Sequence, residues 1–137
     1  MPYELTWEAM GVINRFSGFV TGADLVRSME VIASDPRFDD LRFVISDRRE
    51  MQGNSIGPQD LERAAAIRIG SMATNPNIRV LVVASESELV AVNDALQRPP
   101  LIGSRPTYTF ADMASARNWL AGVPHLNNPR PWFGTLR

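Results

Sequence analysis

The chain has 137 residues, a formal net charge of −1, 45% hydrophobic and 21% charged residues, which suits one globular domain with a real core and gives no general attraction to nucleic acid or anionic membrane. All 14 basic residues are arginine and there is no cysteine, so lysine Schiff bases, lysine general bases, disulfides, thiolate metal sites and thiol nucleophiles are excluded together. No apolar run approaches the roughly 20 residues of a membrane span, and the opening MPYELTWEAM lacks the apolar centre of a secretory signal; a soluble, cytoplasmic protein is expected.

Tyr3 to Trp7 reads as a short strand and Val12 to Val20 as another, joined by a hairpin turn at Met10-Gly11, where glycine supplies a positive φ. Gly18 marks a bulge or a close packing point. Thr21 with Asp24 three residues later is close to a capping box, and Leu25, Met29 and Ile32 then form one apolar helical stripe that Asp35-Pro36 ends. Leu41 to Ile45 is a core strand. The segment Ser46 to Gly57 is about twice the usual 2–6 residue strand-to-helix connection. Such a segment is either a functional loop at the carboxyl end of a parallel strand or a decorated loop or small strand extension.

Pro58 fits the first turn of a second helix, with Leu61, Ala64, Ala65, Ile69 and Met72 as its buried stripe and Asn75-Pro76 as its stop. Ile78 to Ser85, IRVLVVAS, is apolar apart from Arg79 through Ala84 and rich in β-branched residues, which is the pattern of a strand buried on both faces; it is expected at the centre of the sheet. A third helix follows, with Leu89, Val92 and Leu96 inward, then a Pro-rich loop to Pro106. Thr107 to Phe110 is a short strand, and Asp112 caps a last helix with Met113, Ala116 and Leu120 inward. Residues 122–137 are a Pro-rich, non-helical tail whose Trp132 and Phe133 are costly to leave in water, so it docks on the 1–121 domain or closes a homodimer. The order β-β-α-β-α-β-α-β-α predicts an α/β domain with one mixed, mostly parallel sheet of about five strands and helices on both faces.

Catalytic signatures are missing. His125 is the single histidine and lies in the tail, away from a serine-histidine-aspartate arrangement. No Gly-rich nucleotide loop and no histidine or cysteine cluster for a metal occurs, so no cofactor is expected. One constellation remains. Asp47, Arg48 and Arg49 leave a core strand at its carboxyl end, and Asn54 and Ser55 precede a helix start. Backbone N–H groups there, with two arginines, suit an anion or phosphate, or a phosphorylated Ser55. The competing reading is that Ser55 caps the helix and the arginines make surface ion pairs.

The order of elements resembles the STAS and SpoIIAA-like domains, the fold of bacterial anti-sigma-factor antagonists. YELTWEAMGVINRFSGFVTGADL is similar to the opening hairpin and helix start of those domains, LRFVISD to the next core strand, IRVLVVAS to the central strand and YTFADMASARNWL to the closing strand and helix, covering residues 3 to 121. The resemblance implies a non-enzymatic regulatory or binding module. In its partner-switching members a serine at the start of the second helix is phosphorylated within an Asp-Ser-Ser context; the matching region here is Asn54-Ser55-Ile56-Gly57, without that triplet and after a longer segment. Three expectations follow. The first is a protein partner bound through residues 46–57 and the facing Ser85 to Glu88. The second is a carrier of a small apolar or lipid-like ligand lined by Met51, Ile56, Leu101 and Ile102. The third, and least favoured, is an enzyme using Asp47 with Arg48 or Arg49.

Overall fold

The computed structural model describes residues 2–102 and 106–123. Strands β1 (Tyr3–Trp7), β2 (Gly11–Thr21), β3 (Phe43–Ser55), β4 (Arg79–Val83) and β5 (Thr107–Phe110) alternate with helices α1 (Gly22–Ser34), α2 (Pro58–Thr74), α3 (Glu86–Leu96) and α4 (Met113–Ala121). The five strands form one sheet in the order β1-β2-β3-β4-β5. The β1–β2 pair is antiparallel and every other pair is parallel. The predicted mixed, mostly parallel α/β sheet is therefore the observed one. The expected tail, with His125, Trp132 and Phe133, lies outside the described residues from 124 onward.

Alternation along the strands sorts the core. Ile13, Phe43, Ile45, Leu81 and Val83 project to one face, where Ala116 and Leu120 of α4 cover them. Val12, Val44 and Val80 project to the other face and meet Ile32 of α1, Phe16 and Val20 meet Leu25 and Met29, and Val82 and Ala84 meet Val92 of α3. Helices α1, α2 and α3 thus share one face and α4 has the other. The strand IRVLVVAS is buried on both faces, as its apolar run predicts, yet β3 and not this strand is the middle of the sheet.

Of the readings left open for the segment 46–57, the strand extension is the observed one, and it is longer than the small extension expected. Ser46 to Ser55 is not a loop: it continues β3 to 13 residues and stays paired with β2 as far as Thr21↔Ser55. Beyond Asp47, β4 no longer runs alongside. β3 holds one more residue than β2 at each of two register shifts, between Arg15 and Ser17 and between Gly18 and Phe19. Such bulges re-aim side chains and strengthen local twist. Polar, glycine-containing sequence is depleted in strands, so the composition of this stretch reads as a loop; pairing with the apolar β2 overrides it.

Capping follows the expected chemistry at α1. Thr21 Oγ1 accepts from Asp24 N–H at 3.1 Å, and Asp24 Oδ2 accepts from Thr21 N–H at 2.9 Å. At α2 the N-cap is Gly57, not Ser55, and Asp60 Oδ2 accepts from its N–H at 2.8 Å. Asn75 ends α2 and donates to the carbonyls of Phe38 at 2.9 Å and Leu41 at 3.1 Å. Ile69 was expected inward and is 53% exposed. Two turns, seven residues, from Leu61 fall on position 68, so the inward place belongs to Arg68.

Two glycines carry different constraints. Gly18, at the second register shift, has φ +65° with open space around it. Gly11 lacks a positive φ; the Phe43 ring occupies the place of its missing Cβ, so here glycine serves close approach and not a turn. Replacing Gly18 by alanine should lower stability by about 1–2 kcal/mol through backbone strain, and asparagine should restore much of it. Gly11→Ala should destabilise by about 1–3 kcal/mol through overpacking, and Gly11→Asn should be worse. Urea midpoints of the four variants check both statements.

Candidate functional site

The face covered by three helices is not completely filled. A cavity of about 130 Å³ lies between the sheet and helices α1 and α2, bounded by Phe16, Leu25, Ile32, Val44, Ile67 and Val80. A second, of about 230 Å³, lies between α2, α3 and the sheet, bounded by Ile56, Leu61, Ala64, Ala95, Leu96 and Leu101. Leu25, Met29, Arg48, Arg68 and Val82 line both, so the two spaces meet at a waist containing two guanidinium groups. A cavity of about 150 Å³ in an apolar core holds benzene, so these spaces are of small-ligand size.

Strand parity explains the polar groups in this apolar setting. Val12, Asn14 and Phe16 of β2 point to the helix-covered face, as do Val44, Ser46 and Arg48 of β3, and Asn14 lies beside Ser46 in register. Asn14, 4% exposed, donates from Nδ2 to Ser28 Oγ at 2.9 Å. Ser28 in turn donates to the Leu25 carbonyl at 2.7 Å. Its proton is committed, so it accepts from Asn14, and this sets the amide orientation. Asn14 Oδ1 is left buried without a hydrogen-bond partner.

Strand alternation, kept through the register shift after Arg15, separates the two predicted arginines. Arg48 turns into the waist, where its Nε lies 3.5 Å from Ser46 Oγ and its Nη1 lies 3.4 Å from Glu88 Oε2 in the first turn of α3. Burial pushes its guanidinium pKa down, and the Glu88 charge and hydrogen bond oppose that shift. Arg49 turns to the opposite face. There its Nε and Nη2 each donate to the Asp47 carboxylate at 2.9 Å, its backbone N–H donates to Oδ1 at 3.2 Å, and Arg15 Nε donates at 3.3 Å. Burial disfavours the charged form of Asp47, which is 2% exposed, but these donors outweigh it and hold the carboxyl below its ordinary value. Asp47 and Arg49 therefore form one closed unit, and the expected grouping of Asp47 with Arg48 does not exist.

The remaining sequence candidates scatter. Asn54, Ile56 and Leu101 line the larger cavity. Met51 packs on the Phe16, Val20 and Leu25 cluster, and Ile102 is 56% exposed. Ser55 is exposed at the end of β3, paired with Thr21. Residues 46–57 and the start of α3 do meet, through Arg48 and Glu88. Asn14, Ser28 and Arg68 were missed. Their signal was present as polar residues at inward positions of an amphipathic strand or helix. No group of three or more acidic or histidine side chains that would hold a metal occurs among the described residues, and none of their helices is long and apolar enough to cross a membrane.

The architecture is that of the SpoIIAA-like fold. The chain superposes on the anti-sigma factor antagonist SpoIIAA in its unphosphorylated form with a TM-score of 0.60, 10% identity and coverage of 88% of this chain and 99% of that one. An uncharacterized protein of the DUF3478 family with a SpoIIAA-like fold, from Shewanella loihica PV-4, aligns with a TM-score of 0.52 and 14% identity, covering 86% of this chain and 91% of the other. No family model matches the sequence, and no curated protein matches it.

The Asp47 unit predicts an acid-side stability loss. Its folded pKa lies below the ordinary 3.8, so the unfolded chain binds more protons in that range. The stabilisation is complete above about pH 5 and disappears as pH falls through the folded value. Asp47→Asn should lower stability at pH 7 by about 1–3 kcal/mol, a range reduced because both arginine partners are partly exposed. It should also flatten the decline of the urea midpoint between pH 5 and pH 3.

Proposed function

We propose that this chain is a non-enzymatic binding module of the STAS type that holds a small, largely apolar molecule between its sheet and helices α1, α2 and α3. The observation that supports this is the pair of adjoining spaces with predominantly apolar walls and a few inward polar groups at their waist. That combination is the usual composition of a small-molecule site, in which apolar walls supply affinity and sparse polar groups fix orientation. Protein interiors are otherwise close-packed. Here α2 presents Ala64, Arg68 and Ser71 to the sheet where larger apolar residues would fill the gap.

A phosphorylation switch at Ser55 has less support. Asp24 and Asp60 already take the N–H groups at the starts of α1 and α2. Asp60 lies against Gly22, next to the Thr21 that pairs with Ser55. A phosphate on Ser55 would meet two carboxylates where a helix start normally offers donors. Docking of a protein partner on the β2–β3 extension is favoured by one observation, the 60% exposed Phe19 on that extension.

A neutral apolar probe tests the main reading. 1-Octanol should bind and raise the melting temperature, because a ligand that binds only the folded state stabilises it by mass action. Ala95→Trp, which places an indole in the larger space, should fold and lose that response. An unchanged melting temperature for the original protein across a saturating series, with no binding heat, would remove the proposal.

A further inference from the structure

Two consecutive arginines on β3 experience opposite fates. Arg49 makes three donations to Asp47 at 2.9, 2.9 and 3.2 Å. Arg48 faces the cavities, with a side chain 17% exposed. Among the described residues it makes single contacts at 3.5 Å to Ser46 and 3.4 Å to Glu88, with the Phe16 ring centre 5.8 Å away. Charge-assisted bonds to carboxylates normally close to about 2.7–2.9 Å and are often bidentate. Arg48 therefore holds its charge partner at one long contact, with two of its five N–H donors in these long contacts. Its neighbour Arg68 adds a second guanidinium to the same waist.

Resting on the binding reading above, we propose that the ligand is an apolar carboxylate whose head group takes Arg48 in a bidentate grip, displacing Glu88, while its hydrocarbon body occupies the spaces to either side. A planar guanidinium matches a carboxylate better than it matches a lone hydroxyl. The apolar walls lower the local dielectric and strengthen the contact once water is expelled. Glu88 sits in the first turn of α3, so it acts as the internal occupant that keeps Arg48 neutralised when the ligand is absent.

Calorimetric titration of the full chain with octanoate and with 1-octanol separates this inference from the reading it rests on. In the original protein octanoate should bind at least as tightly as 1-octanol, despite its stronger hydration. Arg48→Met should weaken octanoate at least tenfold and change 1-octanol by less than threefold. Glu88→Gln removes the competitor and should tighten octanoate several-fold with 1-octanol unaffected; this variant keeps the side-chain shape and guards against a folding defect in the arginine variant. Tighter binding of 1-octanol than of octanoate, with Arg48→Met affecting both alike, would overturn the carboxylate assignment and leave the apolar site standing. Binding of neither probe would overturn both.

Discussion

The parallel pairing of β2 with β3 is the constraint on which the rest of the molecule depends. It runs from Gly11↔Phe43 to Thr21↔Ser55, well past the point where β4 stops at its pairing with Asp47. α1 begins directly at the end of β2, and α2 begins after two intervening residues at the end of β3. The starts of these two helices are therefore held side by side by the same ladder, with Asp60 of α2 against Gly22 of α1. The spacing of the two helices over the sheet, and with it the smaller cavity, is inherited from the length of that pair.

Strand alternation across the register shift after Arg15 has a chemical consequence beyond geometry. In an unbroken strand, residues 47 and 49 share one face and 48 has the other, and here that separation is kept while β3 gains a residue over β2. The acid and one arginine close into a saturated unit on the α4 face of the sheet. The other arginine enters a space whose walls are mainly hydrocarbon. A buried guanidinium with long contacts is expensive to maintain, while a saturated one, half open to water, is not. The two arginines therefore differ in their availability to a ligand although they are adjacent in the chain.

Most of the fold was legible because its signals are local or periodic. The apolar run Ile78 to Ser85, the capping box of Thr21 and Asp24, the stop at Asp35-Pro36 and the cap at Asp112 all act over a few residues. The β3 extension was legible only as one of several alternatives, and its length was not. Ser46 to Ser55 is strand because β2 lies beside it, and a pairing partner distant in sequence leaves no mark on local composition. The order of strands was equally non-local, and the most apolar strand turned out not to be the middle one. Parity and heptad spacing did point to part of the site. Asn14, Ser46 and Arg48 occupy core-facing strand positions, and Arg68 occupies a core-facing helix position. Reading only the apolar members of each pattern, Val12 and Phe16 or Leu61 and Ile69, passes over the polar residues placed among them.

Those polar residues are informative because they conflict with their surroundings. A chain selected only for a filled core places leucine or isoleucine at positions such as 14, 48 and 68. Ser28 already commits its proton to the Leu25 carbonyl and so leaves Asn14 Oδ1 without a donor. An unsatisfied buried acceptor costs about 1–3 kcal/mol. Arg48 adds the cost of a desolvated cation facing one carboxylate at long range. Both costs fall on the same sheet face, within the same spaces, and among the described residues the α4 face shows nothing like them: there the inward groups are Ile13, Phe43, Ile45, Leu81 and Val83, and the buried Asp47 is fully bonded. The contrast between the two faces of one sheet is what supports the proposed site on the side with three helices, because stability alone explains only the other side.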